Sequence, residues 1–469
     1  MHHDDSQASS HVLRHDSFQG HVGISRSDIT PPEGMYWRLW GAAAHDTFSG
    51  VHRPLSLTVL TLQDEPDGDP LVLVDSDLIC FLSQQDADHF VSEALARLSL
   101  DRSRFIMGFA HSHASPFLTT RIDPAWPGGE LLRDYYGVVF ETVCATVKRA
   151  LGKAAPAVLT WHSGHCNLAN NRDLIDERPG KSAILCGFNP GGEADDTLLV
   201  GRVTNLDETV IATIVNYACH PTTLAWDNEL VSPDYVGAMR ETIERETAGA
   251  PAMFLQGASG DLAPRYQYVG DTRVADANGR QLGFAALAVL ADMEPPATEL
   301  LFDDVVQSGA PLAVWQRVST PCPSTLRSTT AVVDAPLKDW PAAATLDEQY
   351  RSETDRALQE RLRRQRDIRR DLGDGKRYAL PLWVWQVGDT VIAATVVEAY
   401  SVLQQELRRR FPDNSVVVIG LANGLVGYAP PAALYDSDIY QVWQTPLDRG
   451  SLELILESLT VAIEALLQT

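Results

Sequence analysis

No apolar run in this 469-residue chain approaches the roughly 18 residues that a membrane-spanning helix needs. Basic residues are also scarce. Lys and Arg number 38 against 62 Asp and Glu, a net charge of −24. Nucleic acids and anionic membranes both require a basic footprint, so this balance argues against either as a partner. The six cysteines (Cys80, Cys144, Cys166, Cys186, Cys219 and Cys322) are scattered and form no C-x-x-C pair. They read as buried free thiols, not as a disulfide framework. The N-terminus has no basic start followed by an apolar segment, so no secretory signal is read there. Residues 1–21 are expected to form a flexible tail. These absences leave an acidic, cytoplasmic protein without stable membrane insertion, acting on a small molecule, with oligomerisation left open.

The composition is globular, with 45% hydrophobic and 21% charged residues. β-rich runs such as "LSLTVLTL" (55–62), "SRFIMGFA" (103–110), "ETVIATIVNYA" (208–218) and "NSVVVIGLA" (414–422) alternate with amphipathic helical stretches at 84–100, 128–152, 232–249 and 450–468. The expected class is α/β, a large mixed sheet flanked by helices, with 22–469 as one unit. Residues 295–375 are hard to place, apart from a charge-dense helix over 346–374. Its mixed signs suggest a solvated helix, with Leu358, Leu362 and Ile368 as the buried stripe. A basic site over Arg361–Arg370 is the alternative; interrupting acidic residues weigh against it.

Several apolar strands end in residues able to bind a metal or a substrate. "FIMGFA" runs into His111-Ser112-His113, "VIATIVNYAC" into His220, and "VIAATVV" into Glu398. Strand ends converge in α/β proteins, and ligands bind there. Two imidazoles and a carboxylate form a plausible zinc set, and a catalytic zinc keeps one position open for water. Plainer readings stand beside this one. A lone strand-end histidine is usually structural, Tyr428 suits a core, Asp234 and Asp261 suit caps, and Cys219 suits a small buried residue better than a nucleophile. His162 and His165 in "WHSGHC" are too loosely spaced to favour a second metal site.

With "GISRSDITPP", "GFAHSHASP", "NNRD", "NYACHPTTL", "GASGDLAP" and "GLANGLVGYAPPAALYDSDIY" in this order, the chain resembles the catalytic domain of the neutral/alkaline, non-lysosomal ceramidases. The resemblance implies one zinc per chain on His111, His220, Glu398 and Tyr428. It implies that His113 handles a proton, that Tyr440 steadies an oxyanion and that Arg172 contacts substrate. Arg172 and the 114–127 loop, with Trp126, would shape the pocket. The family reaction is hydrolysis of an N-acyl amide by zinc-activated water. This chain departs where the family carries a Ser-Asn pair near the substrate: Gly257 and Ala258 stand there, followed by Ser259. The lost polar groups imply a wider pocket and a linear amide other than long-chain ceramide. The signal and C-terminal immunoglobulin-like domain of extracellular members are not read here. An ester or lactone hydrolase, a biosynthetic enzyme that activates a carbonyl for cyclisation or condensation, and a non-catalytic zinc-binding homologue are the alternatives.

Overall fold

The computed structural model describes residues 12–468. Its β-rich runs assemble into an eight-stranded sheet. The order is Ala252–Gln256, Val210–Tyr217, Thr197–Asn205, Ala155–His165, Asp16–Asp28, Ser56–Gln63, Leu71–Ser76 and Phe105–Phe109. The inner pairings are antiparallel, and the outermost pairing at each edge is parallel. The strands are apolar on both sides because both faces are covered. Helices Gln84–Leu98 and Gly129–Leu151 cover one part of the first face, and Tyr235–Glu246 and Thr272–Asp292 the other part. A four-stranded sheet packs on the second face, in the order Leu326–Pro336, Arg377–Val387, Thr390–Thr395, Val416–Ile419. Helix Ser451–Leu467 closes its far side. The layers run helix, sheet, sheet, helix. Among the described residues no helix is long and apolar enough to cross a membrane.

Three expectations need correction. The tail reading fails for residues 12–21, because Asp16–Asp28 is an interior strand paired on both sides; residues 1–11 lie outside the described residues. The segment left unplaced supplies the hairpin Thr298–Gln307/Pro311–Ser319 and the edge strand Leu326–Pro336. The charged segment is two helices, Ala343–Ser352 and Arg356–Leu372, divided where Asp355 accepts hydrogen bonds from the amides of Ala357 and Leu358. The second of these, the arginine helix, does not bury the expected stripe. Leu358 is 49% exposed, and Leu362 and Ile368 are only partly buried. Glu360, Arg363, Arg366 and Arg369 are the buried positions. Ion pairs make this possible: Glu360 pairs with Arg363 at 2.6 Å and Arg364 at 2.9 Å, and Arg366 with Asp347 at 3.0 Å. A buried charge that is paired and hydrogen-bonded can replace an apolar contact.

The "GLANG" turn ties the two sheets together. Phe105–Phe109 is the outer edge of the large sheet, so its outward backbone groups need partners. Asn423 supplies them. Its Oδ1 accepts from the Met107 amide at 2.8 Å, its Nδ2 donates to the Phe105 carbonyl at 2.9 Å, and its own amide donates to the Met107 carbonyl at 2.9 Å. Asn423 sits at φ 56°, a region asparagine tolerates better than most residues. Asn423→Ala leaves two buried backbone groups without side-chain partners. At about 1–3 kcal/mol for each unsatisfied group, it should cost on the order of 2–6 kcal/mol. Urea unfolding of the purified variant checks this; an unchanged midpoint would mean that the clamp adds nothing.

Candidate metal centre and cleft

His111 follows the edge strand Phe105–Phe109 at φ 65°, an uncommon conformation for a non-glycine residue and one that collects at functional sites. Its Nδ1 bonds the Ile79 carbonyl at 2.8 Å. His220 follows strand Val210–Tyr217, and its Nδ1 bonds the Ser259 carbonyl at 3.1 Å. A carbonyl can only accept, so in both residues Nδ1 carries a proton and Nε2 is the nitrogen turned to the cluster. Both Nε2 atoms face Glu398 Oε2, at 3.5 Å from His111 and 3.3 Å from His220. Glu398 lies on the short strand Val397–Ala399, which pairs in parallel with Gly427–Ala429 and sets Glu398 opposite Tyr428. His113 adds a third imidazole; donor atoms of His111, His113 and His220 lie within 4.8 Å of one another.

The electrostatics fit a cation. Nε2 of all three histidines and Glu398 Oε2 are buried without a hydrogen-bond partner. Burial, reinforced by Arg172, pulls His220 down to about 3, and burial holds His113 well below its ordinary value. Burial alone would raise Glu398, but the facing His111 and His220 overcome it and hold the carboxyl well below the usual range. Three imidazole nitrogens and a carboxylate oxygen thus converge in the interior without a hydrogen-bond partner. A metal cation that takes nitrogen and oxygen donors would satisfy them. The Tyr428 oxygen accepts from Arg172 Nη2 at 3.3 Å, and Arg172 is held in turn by the Gly260 carbonyl.

No protein-family model matches the chain, and no curated relative matches it in sequence. Its structure is similar to that of neutral ceramidase from Pseudomonas aeruginosa, with a TM-score of 0.68 over 97% of this chain and 75% of that one, at 16% identity. A ceramidase complexed with C2 superposes with a TM-score of 0.69, over 97% of this chain and 76% of that one, at 14% identity. The chain has the neutral ceramidase fold.

On this version of the ceramidase fold two spaces meet at the histidine cluster. The inner one is a cavity of about 100 Å³ with mostly apolar walls, including Ile79, Phe81, Leu372 and Leu425. The outer one is a cleft of about 460 Å³ with aromatic walls from Trp40, Trp226, Tyr268 and Trp443. His113, Tyr428, Tyr440 and Arg364 border both. Tyr440 packs edge-to-face on Tyr428, with ring centroids 5.6 Å apart, and its oxygen accepts from Arg364 Nη1 at 3.4 Å. Burial pushes the Tyr440 phenol up, so it keeps its proton.

The other sequence-derived residues divide. Arg172 lines the outer cleft. Trp126 lines neither space. It stacks on Tyr36 with centroids 4.5 Å apart and lies 5.6 Å from the guanidinium of Arg363, so it supports the arginine helix. Beyond His113, the 114–127 loop also stays out of both spaces; Thr119 and Thr120 turn instead to Asp86. Gly257 and Ala258 are buried, and the expected widening there does not occur. A Cβ on Gly257 would meet Gln404 Oε1 at 2.8 Å and the Ala218 Cβ at 3.0 Å, and the Ala258 amide already donates to Gln404. Ser259 acts through its carbonyl, which orients His220. Asp234 caps helix Tyr235–Glu246, and Asp261 holds the amide and hydroxyl of Ser401. The Cys219 thiol is buried and pushed up by that burial, unlike a nucleophile. His162 and His165 turn to different partners, Asp292 and Asp196.

The arginine helix is what the sequence reading missed. It roofs both spaces, and Arg364 reaches Tyr440 from it. One signal was available: the helix holds seven arginines and no lysine. A purely solvated helix has no reason to prefer arginine, whereas buried pairing and stacking do.

Proposed function

We propose that this protein is a zinc-dependent hydrolase of N-acyl amides. The observation that carries the reading is the convergence of His111 Nε2, His220 Nε2 and Glu398 Oε2, three buried atoms without a hydrogen-bond partner, on a ceramidase fold. His111, His220 and Glu398 would hold the metal, with the Tyr428 oxygen as the fourth donor. When bound, zinc supplies Lewis acidity and a water that ionises near neutral pH.

The chain's own groups do the rest. His113, neutral and with an unpartnered Nε2, accepts a proton at the cluster and returns it to the leaving amine. Tyr440 donates its O–H toward the carbonyl oxygen, where negative charge develops. Arg364 occupies a lone pair of the Tyr440 oxygen as a donor, so the phenol proton stays free for the substrate. Arg172 fixes Tyr428 from behind.

The substrate is a linear amide with one short arm. The inner cavity is about 100 Å³ against about 460 Å³ for the outer cleft, so only a short group fits on the inner side of the cluster. This geometry, not the Gly257–Ala258 departure, argues against long-chain ceramide. The test is an assay of zinc-loaded and chelator-stripped protein on short N-acyl amides, matched esters and lactones, and a short-chain fluorescent ceramide. Amide cleavage that disappears on stripping and returns with zinc is expected. Cleavage of esters or lactones alone would replace the amidase by the esterase reading. A ceramide kcat/KM near or above about 10⁴ M⁻¹s⁻¹ would overturn the substrate class.

A further inference from the structure

Six of the seven arginines on the arginine helix have a carboxylate partner. Arg356 pairs with Asp46, Arg363 and Arg364 with Glu360, Arg366 and Arg370 with Asp347, and Arg369 with Asp374. Arg361 is the exception. Among the described residues its guanidinium has no ion pair and no hydrogen bond. It lies partly buried over the Trp443 ring, 3.6 Å from the centroid. Burial lowers its proton affinity, and Asp438 opposes this through space without forming an ion pair.

An unpaired cation half out of water is costly unless something completes it. Stacking on Trp443 compensates in part, because the indole face attracts a cation. The contact with the ring face leaves the N–H groups of Arg361 without a hydrogen-bond acceptor, and a guanidinium fork matches the two oxygens of a carboxylate.

The position is specific. Arg361 lines the outer cleft together with Arg172 and Arg364. The acidic residue of that wall is Glu360, already engaged by Arg363 and Arg364. A chain with net charge −24 thus presents a cationic wall where substrate enters. The wall is linked to the reacting centre by rings packed edge-to-face. Trp443 contacts Tyr440 with centroids 4.8 Å apart, and Tyr440 contacts Tyr428 at 5.6 Å.

We propose that Arg361 is a specificity residue that binds a carboxylate on the substrate, so that the preferred substrate is a short N-acyl amide with a carboxylate on the half held in the outer cleft. The proposal rests on the amide-hydrolase reading for its reaction but not for its binding step. The carboxylate could sit on the amine half, as in an N-acyl amino acid, or on the acyl half, as in a dicarboxylic acid monoamide.

Binding is measured on the metal-stripped protein by calorimetry. The probes are N-butanoylglycine, its neutral glycinamide analogue, and succinic acid mono-butylamide. Wild type should bind at least one of the two acids tenfold or more tighter than the neutral amide. The preferred acid identifies the half that carries the charge. Arg361→Gln should reduce that preference to twofold or less. Arg370→Gln, on the same helix but paired with Asp347 away from the cleft, should retain it. In the zinc-loaded enzyme Arg361→Gln should raise KM for the acid with little change in kcat, the pattern of lost uniform binding. Equal affinity for acids and neutral amide in wild type, or a preference that survives Arg361→Gln, would overturn the proposal. A preference for the acid without any amide hydrolysis would sink the hydrolase reading and keep the site. Hydrolysis of neutral amides without the preference would do the reverse.

Discussion

His220→Ala is expected to abolish both the bound metal and turnover. Purified wild type should carry about one zinc per chain, and the variant essentially none by elemental analysis. The imidazole is 1% exposed, its Nδ1 is held by the Ser259 carbonyl, and its Nε2 faces Glu398. Removing a group that merely orients a ligand costs roughly 10–100-fold in metal affinity or activity, so removing a ligand should cost on the order of 10³-fold or more. Circular dichroism controls for folding. His113→Ala separates ligand from proton carrier. It should keep the metal and lose rate, because the proposed metal set does not need it. Full metal in His220→Ala would refute the centre. Loss of metal in His113→Ala would make His113 a ligand, as its place within the histidine cluster also permits.

Tyr440→Phe is expected to keep the metal and the KM while kcat falls about 10²–10³-fold, the usual effect of losing one oxyanion donor. The phenol is partly buried, protonated and backed by Arg364, so its proton is available where charge develops. Phenylalanine keeps the packing against Tyr428 and Trp443. The lost oxygen leaves Arg364 its bonds to Glu360 and the Leu39 carbonyl. A kcat within twofold of wild type would remove Tyr440 from the reaction.

By itself the sequence determined most of the elements outside 295–375 and offered His111, His220 and Glu398 as candidate ligands. Its apolar runs mark the strands, and His111, His220 and Glu398 stand where runs end, because a strand's exit from the core is a local event written in local composition. The tertiary structure decided how these ends meet. The register that sets Glu398 opposite Tyr428 and the turn that brings Asn423 to Phe105 and Met107 join segments up to 318 residues apart, and no local pattern encodes them. It also decided that two sheets stack, and that Asp16–Asp28 is an interior strand. The arginine helix shows the limit most plainly. Periodicity pointed to Leu358, Leu362 and Ile368 as the buried face, yet Glu360, Arg363, Arg366 and Arg369 are buried instead. Apolar burial is a property of one residue and can be read from its type. Burial of a charge depends on a partner, and Asp347 and the Trp443 ring reach this helix only once the chain has folded.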